Sequence, residues 1–232
     1  MAQGAAEGQG DAAGAGAEGA EGAPRPQTST RDRGELQRRL AAWLATQVEG
    51  AAVSDLVVPE GNGMSSETLL FEASWTEEGG AAVTRGCAAR LSPDPAAVPV
   101  FPVYDLERQF RVMRLVAERS SVPVPATLFF EPDESKIGAP FFVMERVDGV
   151  VPPDIMPYPF GSWLSEADLT DQRRLQDASV GILAALHSMD VDEADLSFLE
   201  LDRPGDTPLR RHIAEQHAYY QWVAADGTRS PL

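Results

Sequence analysis

The chain has 232 residues, of which 43% are hydrophobic, and its 36 acidic residues against 19 basic ones leave a formal net charge of −17. That apolar content can form a substantial core and excludes wholesale disorder, while the acidic balance argues against general affinity for nucleic acid or an anionic membrane. No apolar run approaches the roughly 20 residues needed to cross a bilayer, and the single Cys87 excludes an intramolecular disulfide and fits a reducing cytoplasm.

The first 34 residues contain almost nothing larger than Ala to bury and lack the pattern of a secretory or organellar signal, so they are expected to form a disordered tail. Leu36, Leu40, Trp43, Leu44 and Val48 then recur at helical spacing and predict an amphipathic helix ending near Gly50. Asp55 to Val58 reads as a short strand. From Glu67 to Trp75, Leu69, Phe71, Ala73 and Trp75 alternate with Leu70, Glu72 and Ser74, a period of two that predicts a strand. The turn Thr76-Glu77-Glu78-Gly79-Gly80 leads into a second strand over Ala81 to Leu91, so these runs form a hairpin in an antiparallel meander.

A Pro-rich segment, Ser92 to Pro102, precedes a helix over Asp105 to Arg119 marked by Leu106, Phe110, Met113 and Ala117. Two further strands are expected at Ala126 to Glu131 and Pro140 to Val147. Beyond Asp148-Gly149 the phrase VVPPDIMPYPFGSW is irregular in character, and a helix follows over Asp171 to Met189, with Thr170 as N-cap and Leu175, Ala178, Ile182 and Leu186 as its buried stripe. A last helix spans about Thr207 to Val223.

The segment GNGMSS, Gly61 to Ser66, has two physical readings. Its glycines would let backbone N–H groups approach a phosphate, with Ser65 and Ser66 adding hydroxyl donors. Alternatively, Asn62-Gly63 supplies the positive φ angles of a tight hairpin turn. It matches neither the Walker pattern nor the dinucleotide fingerprint.

The order of elements, with the phrases GNGMSSETLLFEASW, AARLSP, DLERQFRVMRLVAERSSVPVP, PFFVMERVDGVVPPD and LAALHSMD, resembles the aminoglycoside phosphotransferase and choline kinase-like enzymes over about residues 35 to 225. The resemblance implies an α+β chain. Residues 35–148 would be a protein-kinase-like N-terminal lobe, a five-stranded antiparallel sheet plus helix that binds nucleotide, and 149–232 the first helices of a truncated C-terminal lobe. It implies ATP or GTP with Mg²⁺ as cofactor in the complete parent, and transfer of the γ-phosphate to an unknown small-molecule hydroxyl.

Carried onto this sequence, the resemblance lays Gly61, Asn62, Gly63, Met64, Ser65 and Ser66 over the nucleotide phosphates. Arg90 takes the place of the cation that grips the α and β phosphates, a task its planar fork suits. Gln109 stands where the family's helix carries a carboxylate to orient that cation. Glu107, about 200° around the helix, cannot replace it. Met144 would lie behind the base, the Glu145 carbonyl would accept from the exocyclic amine, and the Val147 amide would donate to the ring.

The family's His-Gly-Asp phrase and its later metal-holding acidic residue are not present; His187-Ser188-Met189-Asp190 has no Asn four residues on. No catalytic or metal-binding residue is therefore assigned, and His212 and His217 are expected to be solvated. The isolated chain is expected to be nearly inactive, as a truncated or split product whose missing lobe another polypeptide supplies. A non-catalytic module binding nucleotide or a partner is the alternative.

Overall fold

The computed structural model describes residues 29–59, 66–94, 96, 100–151 and 161–225. Its centre is a five-stranded antiparallel sheet formed by β1 (Ala52–Val53), β2 (Glu67–Thr76), β3 (Ala82–Leu91), β4 (Thr127–Glu131) and β5 (Phe141–Glu145), in the order β1-β2-β3-β5-β4. The α+β lobe expected from the sequence is present. Its first strand is shorter and earlier than expected, because only Val57 of the Asp55 to Val58 run pairs, as an isolated bridge to Leu70. The β2–β3 hairpin turns through Gly79 and Gly80 at φ 109° and 84°, a conformation that favours residues without a Cβ.

Helix α1 (Arg33–Gln47) starts where the Asp32 carboxylate accepts the Glu35 amide, a side-chain cap for an orphan helix N–H. It lays Leu36, Leu40, Trp43 and Leu44 on one face of the sheet, against Leu69, Phe71, Ala73, Cys87, Leu91, Phe141 and Val143. The Trp43 ring meets Phe141 edge-on at 4.6 Å, and its indole N–H donates to Glu131 at 2.8 Å. Both ends of this amphipathic ring are thereby satisfied.

Helix α2 (Leu106–Arg119) covers the opposite face over β4 and β5, with Phe110 seated between Phe130 and Phe142 at 5.6 and 6.0 Å. Its outer side is fastened to the helical segment that follows. Arg119 pairs with Asp195 at 3.1 Å, and the Arg111 guanidinium lies 4.2 Å from the Phe198 ring. Asp195 belongs to α5 (Glu193–Leu196), which comes after α3 (Trp163–Glu166) and α4 (Leu169–His187). The final helix, α6 (Pro208–Ala224), reaches back through the Tyr219 hydroxyl, which donates to the Val100 carbonyl at 3.0 Å.

Two expectations are corrected here. The N-cap of α4 is Asp168, two residues before Thr170, since its carboxylate is placed to accept the Asp171 amide. The stripe Leu175, Ala178, Ile182 and Leu186 is not buried; no residue of α4 or α6 is. Periodicity identifies the face that would pack, but packing needs a second surface, and the described residues supply none.

Residues 29–34, which the sequence reading placed in the tail, are held against the sheet, whereas 1–28 lie outside the described residues. Arg31 pairs with Glu67 and donates to the Ser92 and Pro93 carbonyls. Asp94 accepts from the Ala96 amide and from both the hydroxyl and amide of Thr30, and these bonds hold its carboxyl down at about 2. A carboxyl depressed in the folded state stabilises it above the unfolded pKa and loses that contribution as pH falls through the folded value. The Thr30 attachment should therefore loosen between about pH 4, the ordinary Asp range, and about pH 2. Hydrogen exchange at the Thr30 amide would follow the step. Asp94→Asn should abolish it, and protection of that amide, relative to its intrinsic exchange rate, that does not change with pH in the parent chain would refute the attachment.

Candidate nucleotide site

In an antiparallel sheet, residues directly opposite one another share a face. Thr68, Arg90 and Phe142 form one such row across β2, β3 and β5, while Leu70, Ala88 and Met144 form the next. Two residues of strand separate the rows, about 7 Å. The second row is an apolar shelf: Ala88 is buried, and Leu70 and Met144 are partly buried. With no more than a methyl group at Ala88, the shelf can receive a flat ring. One step along the same face stands the Arg90 guanidinium.

Arg90 is partly buried, and its Nε–H donates to the Ser66 hydroxyl at 2.9 Å. Among the described residues it has no carboxylate partner, whereas Arg31, Arg85, Arg108, Arg119 and Arg146 each have one. In a chain with a net charge of −17, an arginine held by a neutral hydroxyl keeps its full charge available to an anion. Ser66 accepts through a lone pair, so its own hydrogen remains free to donate.

Gln109 lies on α2, and no hydrogen bond joins it to Arg90 among the described residues. Phe110 anchors this helix over β4 and β5, one strand beyond β3. The hydrogen bond that Arg90 makes among the described residues is to Ser66.

At the end of β5 the Glu145 amide donates to Ala126 on the β4 side, and the Arg146 amide donates to Gly86 on the β3 side. Alternation along an extended chain therefore aims the Glu145 carbonyl and the Val147 amide to the same side. Val147 is 72% exposed, and among the described residues its amide has no hydrogen-bond partner. The Glu145 carboxylate is occupied elsewhere, on Arg85 at 2.7 Å. Only backbone groups of this hinge are thus offered to a ligand.

Gly61, Asn62, Gly63, Met64 and Ser65 lie outside the described residues. Leu70 and Ala88 were missed in the sequence reading; their signal was the strand register, which puts Ala88 two residues before Arg90 on the same face. Among the described residues no group of three His, Cys, Asp or Glu side chains is gathered to hold a metal ion. His187 is the last residue of α4, and His217 shares a hydrogen bond with Gln221 on exposed α6.

Residues 97–228 match the family model described as "Phosphotransferase enzyme family". The chain belongs to this phosphotransferase family. Relatives include the Arabidopsis thaliana protein named "Probable acyl-CoA dehydrogenase IBR3", 28% identical over 140 residues, which are 59% of this chain and 15% of that protein. Mouse "Acyl-CoA dehydrogenase family member 10" is 29% identical over 112 residues, 48% of this chain and 10% of that protein. The chain thus spans a small part of the curated relatives it matches. A solved Ralstonia eutropha structure described as an aminoglycoside phosphotransferase is 26% identical, with a TM-score of 0.48, covering 83% of this chain and 48% of its own. No helix among the described residues is long and apolar enough to cross a membrane.

Proposed function

We propose that the lobe binds ATP or GTP through Arg90, the Leu70–Ala88–Met144 shelf and the Glu145–Val147 hinge, as the nucleotide half of a phosphotransferase acting on a small-molecule hydroxyl. The observation that carries this reading is Arg90: a partly buried guanidinium with no carboxylate partner among the described residues, one row from an apolar shelf. The shelf takes the purine face, the hinge carbonyl and amide take the purine edge, and Arg90 takes the α and β phosphates. Mg²⁺, held in such enzymes by acidic side chains, would supply charge neutralisation at the transferring phosphate.

Phosphoryl transfer also needs a group to accept the hydroxyl proton. The described residues offer no candidate beside Arg90, so binding without appreciable turnover is the behaviour proposed for the isolated chain. Leu183 on α4 and Leu209 and Ile213 on α6 are 56%, 69% and 58% exposed. These exposed apolar side chains favour a lobe completed by further chain carrying the catalytic groups over an evolved stand-alone binding module, whose surface would be polar.

Titration calorimetry of the full chain with ATP, GTP and each nucleotide plus Mg²⁺ tests the reading. Arg90→Ala should weaken nucleotide binding by about ten- to a hundredfold, the scale of a charge-assisted hydrogen bond. Equal affinity in parent and variant would remove Arg90 from the site, and the absence of any binding heat in the parent would remove the site.

A further inference from the structure

A cation that grips phosphate must be aimed, and among the described residues no carboxylate aims Arg90. Its fixed point is Ser66, only 7% exposed, at the start of β2. The adjacent residue, Glu67, is the one buried charged residue among the described residues, at 4% exposed, and points to the α1 face through the alternation of the strand. There it meets Arg31 at 2.5 Å, and the same Nη1 also donates to the Ser92 carbonyl at 3.1 Å, just beyond the end of β3. Arg31 therefore ties together the two strand ends that carry Ser66 and Arg90. The sheet is one residue thick at this point, so a clamp on one face fixes a hydroxyl and a guanidinium on the other.

We propose that Ser66, held by the Arg31–Glu67 ion pair, is the positioning device for Arg90. It fixes the guanidinium through Nε by a neutral acceptor and leaves the N–H donors of both terminal nitrogens, which have no partner among the described residues, for phosphate. The design differs from an ion-paired cation in a chemically definite way. A carboxylate partner would orient the guanidinium but would also compete with the incoming anion, whereas a hydroxyl orients it without lowering its charge. The inference rests on the nucleotide reading above and adds two residues to it, Arg31 and Glu67, both remote from the ligand face.

The test separates orientation from folding by using ligands that differ in phosphate content. Affinities for ATP and for adenosine are measured by calorimetry on the full chain and on the variants Ser66→Ala, Ser66→Thr, Arg31→Met, Arg31→Lys and Arg90→Ala, with each melting temperature recorded. Ser66→Ala and Arg31→Met should each lower ATP affinity about tenfold, the loss of one hydrogen bond to a charged group, and leave adenosine affinity within about twofold. Ser66→Thr, which keeps the hydroxyl, should bind as the parent does. Arg31→Lys, which keeps the charge, should recover part of the loss should Arg31→Met fail to fold. Combining Ser66→Ala with Arg90→Ala should weaken ATP no further than Arg90→Ala alone, since both remove the same contact.

Unchanged ATP affinity in Ser66→Ala and in either Arg31 variant, with a loss in Arg90→Ala, would overturn the positioning device while leaving the nucleotide site. Equal losses for ATP and adenosine would reduce both residues to structural supports and overturn it as well. Unchanged ATP affinity in Arg90→Ala would overturn the device and the nucleotide reading together.

Discussion

Phe141→Ala is expected to cost about 3–5 kcal/mol of stability, a typical range for truncating a fully buried aromatic residue. Phe141 has no solvent exposure and meets Trp43 at 4.6 Å, so it is the point where α1 is pressed onto the sheet. The cost is the lost transfer of a phenyl group from water plus a cavity that α1 cannot close, because Trp43 is fixed at its other end by Glu131. A domain of this size has about 5–15 kcal/mol in total, so the variant should be close to unfolded at body temperature. Urea unfolding followed by tryptophan fluorescence would report a much lower midpoint at similar slope. A midpoint near that of the parent would mean that α1 does not depend on this contact.

Arg31→Met should be almost as damaging, for a different reason. The side chains of Arg31 and Glu67 are 13% and 5% exposed, and removing one partner of such a pair leaves a charge in a poorly solvated place. The expected loss is about 3 kcal/mol, with the spread that such pairs always show. Pairing Arg31→Met with Glu67→Leu should restore much of that stability, because two apolar groups carry no unpaired charge. The same double change should not restore tight ATP binding, because the clamp on Ser92 is still missing. Measuring the melting temperatures of both singles and the double variant checks this. If the double is as unstable as Arg31→Met, the loss lies in the carbonyl contacts of Arg31 and not in the stranded carboxylate.

The sequence made β2 and both long N-terminal helices legible because each has one dry face and one wet face, and periodicity records that difference; β3, buried on both faces from Cys87 to Ala89, was legible from its small and β-branched residues after a polar turn. Leu69, Phe71, Ala73 and Trp75 face α1 in the structure, as their alternation requires. Arg90 and Val147 were singled out as candidates only through neighbouring phrases, since a single strand arginine has no signature of its own. What stayed hidden depends on contacts between distant residues. Arg31 sits 36 residues from Glu67 in a stretch that reads as tail, and only the folded sheet brings them together. The shelf residue Ala88 and the Ser66–Arg90 bond depend on register, which propensities do not contain. The exposed stripe of α4 failed in the opposite sense. Its pattern was read correctly as apolar, but the inference to burial required a partner surface that no local pattern can supply.

Cys87 sits with no exposed surface at the middle of β3, and burial pushes its thiol up to about 11. With neither the charge nor the access that alkylation needs, it should be silent toward iodoacetamide in the native lobe at neutral pH. It is also the chain's single cysteine. Its modification rate is therefore a clock for the opening of the sheet, legible by mass spectrometry without any engineered label. Nucleotide that binds across β2, β3 and β5 should slow that clock in proportion to how strongly it holds the three strands together.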